Sequence, residues 1–369
     1  MNSYIEIIKI ALISFPFLAI LISFPFMLIN YHKYGSISIM KVLIIYSLTL
    51  YLLCAYFLVI LPLPKKSEVA MLTTPKVQLI PFAFIKDFIK ESPFKINDFH
   101  TYIMAIKHST FYVPIYNIFL TVPFGMYLRY YFKCNKRKTI LLTFLLSLFF
   151  ELTQLSGLYF IYPRGYRLFD VDDLLLNTCG GLLGYFLVLP FMKILPSRKD
   201  IDDNALKKGE KLSNTRKVTS FCLDLFVATV FSLIIYFIFN KSIIVYIFIM
   251  IYYFIIPLFI KGSTLSQKYL NINVVDENNN INLWRSLLRR ILFALFYIIS
   301  FFIILKLNIS SSLKGIFYII DFTYFCISAF KYIFTKKVLL FEKISKTKLI
   351  STIKGNIPNY LFCDLTQDI

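Results

Sequence analysis

The sequence predicts an all-α polytopic membrane protein with about nine transmembrane helices, five in its N-terminal half and three or four in its C-terminal half. Three observations carry that prediction. Of the 369 residues, 58% are hydrophobic and only 16% are charged, and the mean hydropathy is +0.70. The apolar residues fall in runs close to the roughly 20 residues that a helix needs to cross a bilayer. Polar residues, including most of the Lys and Arg behind the net charge of +20, collect between those runs. Hydrocarbon offers no partner to a free N–H or C=O, so each run must satisfy its own backbone, as a helix does.

In chain order the runs are 4–29, 39–61, 111–131, 139–158, 173–195, 217–239, 242–260, 289–307 and 315–334. The first lacks a basic leader and a small-residue cleavage site, so it reads as a retained helix rather than a signal peptide. Asp321 and Lys331 interrupt the last. Between the second and third runs lies the long segment 62–110. Within it "VQLIPFAFIKDFIK" spaces Leu79, Phe82, Ile85 and Phe88 as a short amphipathic helix, with Pro81 suited to its first turn. Such a helix rests on a membrane surface; the alternative is a lid that grips a ligand. The segment 195–215, "LPSRKDIDDNALKKGEKLSNT", is strongly polar and reads as a cytoplasmic linker. The expected organisation is a membrane domain over 1–196, a linker over 197–213, a second membrane domain over 214–350 and a cytoplasmic tail over 351–369.

The positive charge first suggests nucleic acid, but the basic residues sit beside apolar runs, as topogenic charges facing cytoplasm and anionic lipid do. No nucleic-acid partner is expected; membrane lipid is. With the N-terminus outside, about two thirds of the 40 Lys and Arg fall in cytoplasmic segments. That orientation places 62–110 and the loop before the fifth run outside. The six cysteines are scattered without a CxxC, and most lie in apolar runs, where a thiol acts as a small hydrophobe. Neither they nor His32, His100 and His108 have metal-ligand spacing. No metal, cofactor or catalytic residue is assigned.

A few polar residues break the runs at helical spacing. On the fifth, Asp173, Asn177, Gly180 or Gly181, and Gly184 share one face. Gly180 and Gly184 have the small-xxx-small spacing that admits a neighbouring backbone. On the fourth, Ser147, Glu151 and Gln154 share a face; on the third, Asn117 and Thr121 are one turn apart, before Pro123 and Gly125. A carboxylate at mid-membrane costs about 2.5–3.5 kcal/mol. Glu151 should therefore face the protein interior or a wet cavity, with a partner. The candidate partners are Arg164 and Arg167 in "IYPRGYR". Asp170 and Asp173 have the spacing to hold one arginine, or a hard cation through oxygen ligands. Capping alone also accounts for acids at a helix start, but not for Glu151, Gln154 and Asn117 on other helices. The expectation is an outward-facing polar pocket.

The ordered blocks "VQLIPF" (77–82), "NIFLTVPFG" (117–125), "SLFFELTQ" (147–154) and "RLFDVDDLLLNTCGGLLGY" (167–185) resemble the VanZ-like membrane family over about residues 1–195. The resemblance implies a small helical bundle that clusters Asn117, Pro123, Gly125, Glu151, Gln154, Arg167, Asp170, Asp173 and Asn177. It also implies a link to low-level resistance to the glycopeptide teicoplanin.

In the second half, Arg216 and Asp224 begin the sixth run on roughly one side, in "RKVTSFCLD". An aspartate at that depth calls for a partner, with Arg216, Arg289 or Arg290 as candidates. Then come "GSTLSQKYLNINVVD", with a β-rich end, and an arginine-rich helix start. These blocks resemble the RDD family over about 214–350. The resemblance maps its second aspartate to Asp321, and "FEKISKTKLI" resembles its closing element with Glu342 in place of aspartate. Transport is the activity it implies.

Three functions follow as expectations for a multi-pass protein of a bacterial cell membrane. One is envelope protection, with the outward pocket binding a lipid-linked cell-wall precursor or the glycopeptide through Arg164 and Arg167. Another is a transporter or ion-coupled permease using Asp224 and Arg216 of an RDD-like site that includes Asp321, with Glu151 as a further candidate. The least favoured is a lipid-modifying enzyme: paired carboxylates can do acid–base work, but no nucleophile–base pair, HExxH or phosphate loop appears.

Overall fold

Backbone hydrogen bonding is met by helices almost throughout the computed structural model, which describes residues 2–299, 304, 310–334 and 338–354. Among these residues eight helices are long and apolar enough to cross a membrane: Ile8–Tyr34, Ile39–Ile60, Ser109–Tyr130, Lys136–Leu155, Val171–Met192, Asn214–Phe239, Ser242–Phe259 and Ser311–Tyr332. The protein is an all-α polytopic membrane protein. The run expected at 289–307 is helical over Leu283–Ala294 and Leu295–Ile299; its remainder lies largely outside the described residues.

Polar side chains set several helix starts. Asn135 Oδ1 accepts the Lys138 N–H at 2.9 Å and caps the fourth span. Ser213 Oγ does the same for the sixth, from Arg216 N at 3.2 Å. Asp170 Oδ1 caps the fifth, from Asp172 N at 2.8 Å. Such caps satisfy backbone donors that the first turn leaves open. The polar segment expected as a linker contains the helix Arg198–Gly209.

The packing divides the described residues into two units, one comprising 2–22 together with Ile39–Ile201, the other Ser23–Ser38 together with the described residues of 202–354. The helix Asn2–Tyr34 thus contributes to both. In the first unit the fifth span packs on the third and fourth. Here the glycines matter. A side chain on Gly180 would strike the Ile118 carbonyl and Thr121, and one on Gly184 the Val122 carbonyl. The third span answers with Gly125, whose Cβ would meet the Gly181 carbonyl. One end of this unit is filled by Ile44, Tyr130, Tyr131, Val188 and Ile201, the other by Ile60, Val69, Tyr162 and Tyr166. Two short parallel strands, β1 (Val77–Gln78) and β2 (Phe169–Asp170), tie the segment 62–110 to the start of the fifth span. The amphipathic helix expected there spans Ala83–Glu91, with Pro81 just before it rather than in its first turn.

The second unit has a core around Tyr31, Leu270 and Ile272. The β-rich stretch forms β3 (Ile272–Asp276), antiparallel to β4 (Thr347–Ser351). Replacing Gly184 by leucine forces backbone apart, a change of at least the about 1–3 kcal/mol that overpacking costs. Thermal unfolding of the detergent-solubilised chain will show Gly184→Leu several degrees below wild type, with Cys179→Leu, at an exposed position, unchanged.

Candidate functional site

The third, fourth and fifth spans of the first unit bring most of the expected residues together. Asn117 Nδ2 donates to Asp173 Oδ1 at 2.5 Å, and Thr121 Oγ1 donates to the Asn177 carbonyl at 2.5 Å. Asn177 Nδ2 donates to Ser147 Oγ at 2.8 Å, and Ser147 Oγ to the Asp173 carbonyl at 3.3 Å. Asn177 Oδ1 is buried without a partner. Glu151, 2% exposed, accepts the Asp170 N–H through Oε2 at 2.9 Å. Asp173, Asp170 and Arg167 are its charged neighbours. The polar face of the fourth span continues beyond the expected residues into Thr143 and Thr139, both fully buried and back-bonded to carbonyls one turn earlier.

The arginines do not take the partners expected of them. Arg167, exposed, donates to the Val59 carbonyl at 2.8 Å and the Leu61 carbonyl at 2.9 Å. Gln154 Nε2 shares the Val59 carbonyl at 3.0 Å. Arg164 donates to the carbonyls of Leu72 and Thr74. Both guanidinium groups therefore hold the chain at and beyond the end of the second span, where carbonyls lose their helical partners, and among the described residues neither is in an ion pair with Glu151. Arg164 has no described contact with the acids. Asp170, besides capping, accepts from Gln78 Nε2 at 3.3 Å. Burial pushes its carboxyl above the ordinary value; the Asp172 N–H offsets this in part, and the charges of Asp172 and Asp87 add to it.

A residue that the sequence did not single out for the site is Asp172. Its carboxylate accepts the N–H of Phe82 at 2.6 Å and of Phe84 at 3.0 Å, so it holds the start of the Ala83–Glu91 helix. It lies off the Asp173–Asn177 face, so its helical spacing signalled nothing. Gln78 was legible only as part of the block "VQLIPF". Among the described residues no group of three or more His, Cys, Asp or Glu is placed to share a metal ion.

In the second unit Arg216 is fully buried. Its Nε donates to the Leu270 carbonyl at 2.7 Å and its Nη2 to the Asn271 carbonyl at 2.7 Å. Its Nη1 reaches the Gly209 carbonyl and Ser351 Oγ, both at 3.0 Å, and the Gly35 carbonyl at 3.3 Å. Asp224 takes hydroxyl donors instead of an arginine: Tyr252 at 2.8 Å and Thr264 at 2.7 Å. Arg290 is a charged neighbour but donates to the Gly262 carbonyl at 2.7 Å. A buried ion pair forms elsewhere, between Arg289 and Glu342 at 2.7 Å, with Arg289 also donating to Thr347 at 3.2 Å. No described contact joins Asp321 to Arg216 or Asp224.

A family model described as VanZ/LLP1 matches residues 48–193, the stretch that holds the whole first cluster. A second, described as the RDD family, matches residues 180–337 and holds Arg216, Asp224 and Asp321. The chain is a VanZ-like region fused to an RDD region. No curated protein and no solved structure matches it. The two matches overlap on the C-terminal part of the fifth span, and Glu342 lies beyond the RDD match.

The Arg289–Glu342 pair is largely buried, and removing one partner of such a pair typically costs about 3–5 kcal/mol because the other charge is stranded. Glu342→Met alone is expected to destabilise the purified chain to that extent in chemical unfolding. Arg289→Met with Glu342→Met is expected to recover most of the loss.

Proposed function

We propose that this chain is a bacterial cell-membrane protein whose VanZ-like region protects the cell envelope and raises tolerance to teicoplanin. Its ligand on this reading is a lipid-linked cell-wall precursor or the glycopeptide itself. The observation that carries the reading is the gathering of Glu151, Asp170, Asp173 and Asn117 with an exposed Arg167 at the end of the unit where the segment 62–110 packs. Arg167 carries a guanidinium fork of the kind that recognises phosphate or carboxylate; the Val59 and Leu61 carbonyls position it, and the acids nearby set the local charge. Intramembrane acids on neighbouring helices are costly unless a function retains them. Expression in a sensitive host is expected to raise tolerance to teicoplanin more than to vancomycin, and Asp173→Asn to abolish the gain at equal protein level. Unchanged tolerance on expression refutes the reading.

A second reading assigns the RDD region a transporter or ion-coupled permease activity through Asp224. It is supported by a buried carboxylate within a span, held by two hydroxyls rather than by a direct ion pair. Tyr252 sits in a π-helical turn, Ile251–Ile255, a geometry frequent at functional positions. Proteoliposomes containing the full chain are expected to show an ion flux that Asp224→Asn removes; the absence of flux across a broad panel of ions and substrates counts against it.

A further inference from the structure

The helix Ala83–Glu91 presents three different flanks. Phe88 turns inward, with ring centroids 5.5 Å from Phe94 and 5.8 Å from Phe111. Phe111 lies in the first turn of the third span, so the helix rests at the level where that span begins. The acids Asp87 and Glu91 occupy a second flank, one turn apart, and Asp87 is a charged neighbour of Asp170. The remaining flank carries Phe82, Ile85 and Ile89, which are 60%, 46% and 70% exposed. Lys86 and Lys90 border it one turn apart. These five residues line an open depression of about 490 Å³. Among the described residues neither lysine is in an ion pair.

The projection of Phe82 is imposed rather than intrinsic. Its φ is +63°, a left-handed conformation that a side-chain-bearing residue adopts at a cost. Asp172 fixes it by accepting the N–H of Phe82 and of Phe84. The same turn of the fifth span therefore carries Asp173 toward the polar cluster and Asp172 toward this helix.

We infer that the flank made by Phe82, Ile85, Lys86, Ile89 and Lys90 is a binding surface for anionic phospholipid. Its depth at the start of a span, and an apolar strip edged by two lysines, fit the boundary between acyl chains and phosphates. The two ammonium groups meet the lipid phosphate, and the three apolar side chains meet the upper acyl chain. The acids lie on the opposite flank, where they do not repel the headgroup. This surface is separate from the proposed envelope-protection activity and does not depend on it.

The chain has a single tryptophan, Trp284, so a reporter is simple to place. In a Trp284→Phe background, Ile89→Trp, with Ile85→Trp as a second reporter, is reconstituted as the full chain in phosphatidylcholine vesicles holding a minor fraction of phosphatidylglycerol. Brominated acyl chains, which quench tryptophan, are put on one lipid or the other. The expected result is quenching at both reporters, with phosphatidylglycerol enriched roughly tenfold over its bulk share, from the attraction of two lysines to anionic lipid. Lys86→Gln with Lys90→Gln returns the enrichment to the bulk share while acyl-chain quenching persists. Quenching in proportion to bulk composition in the lysine-bearing chain overturns the inference. So does a reporter quenched by aqueous iodide and by neither brominated lipid, which would leave the face to water or to a protein partner.

Discussion

The polar cluster of the VanZ-like region depends on how closely the third and fifth spans approach. Gly180, Gly184 and Gly125 leave no side chain between the two backbones. That proximity lets Thr121 reach the Asn177 carbonyl and Asn117 reach the Asp173 carboxylate. In hydrocarbon the apolar surfaces of helices gain little from one another, so packing and interhelical hydrogen bonds carry association. The glycines and the polar residues are therefore one device: the former set the distance that the latter require. Glu151 is added from the fourth span and anchors the backbone at Asp170, where the fifth span begins.

A second theme is how arginine is used. Arg164, Arg167 and Arg216 donate mainly to backbone carbonyls rather than to carboxylates. All three stand near segments where the chain leaves regular helix and carbonyls lose their partners. The guanidinium fork supplies several donors in fixed geometry and keeps its charge. It thus holds irregular backbone together where an ordinary helix would end in unpaired groups. The acids are then left with milder partners: a backbone N–H for Glu151, an amide for Asp173 and hydroxyls for Asp224.

Much of this was legible in the sequence, for identifiable reasons. Runs of apolar residues placed the spans to within a few residues. The spacing of Asp173, Asn177, Gly180 and Gly184 announced a packed face, and that of Ser147, Glu151 and Gln154 another. What stayed hidden was the choice of partner. A carbonyl oxygen has no letter in a sequence, so the ends of Arg164, Arg167 and Arg216 could not be read, and the nearest acid was the natural but wrong choice. Asp172 differs from Asp173 by one position, which turns its side chain about a quarter-circle away, toward a helix ninety residues earlier. The Arg289–Glu342 pair joins residues 53 apart, a separation over which no helical period speaks.

The cage around Arg216 draws in Gly35, Gly209, Leu270, Asn271 and Ser351. These run from Gly35, just past the first helix, to Ser351 in the strand Thr347–Ser351. A chain emerging from the ribosome thus carries the guanidinium for well over a hundred residues before its final acceptor is made. The second unit can complete this cage only once the strand Thr347–Ser351 has been made, so its earlier helices must wait in the bilayer, half-assembled, for that strand to lock them.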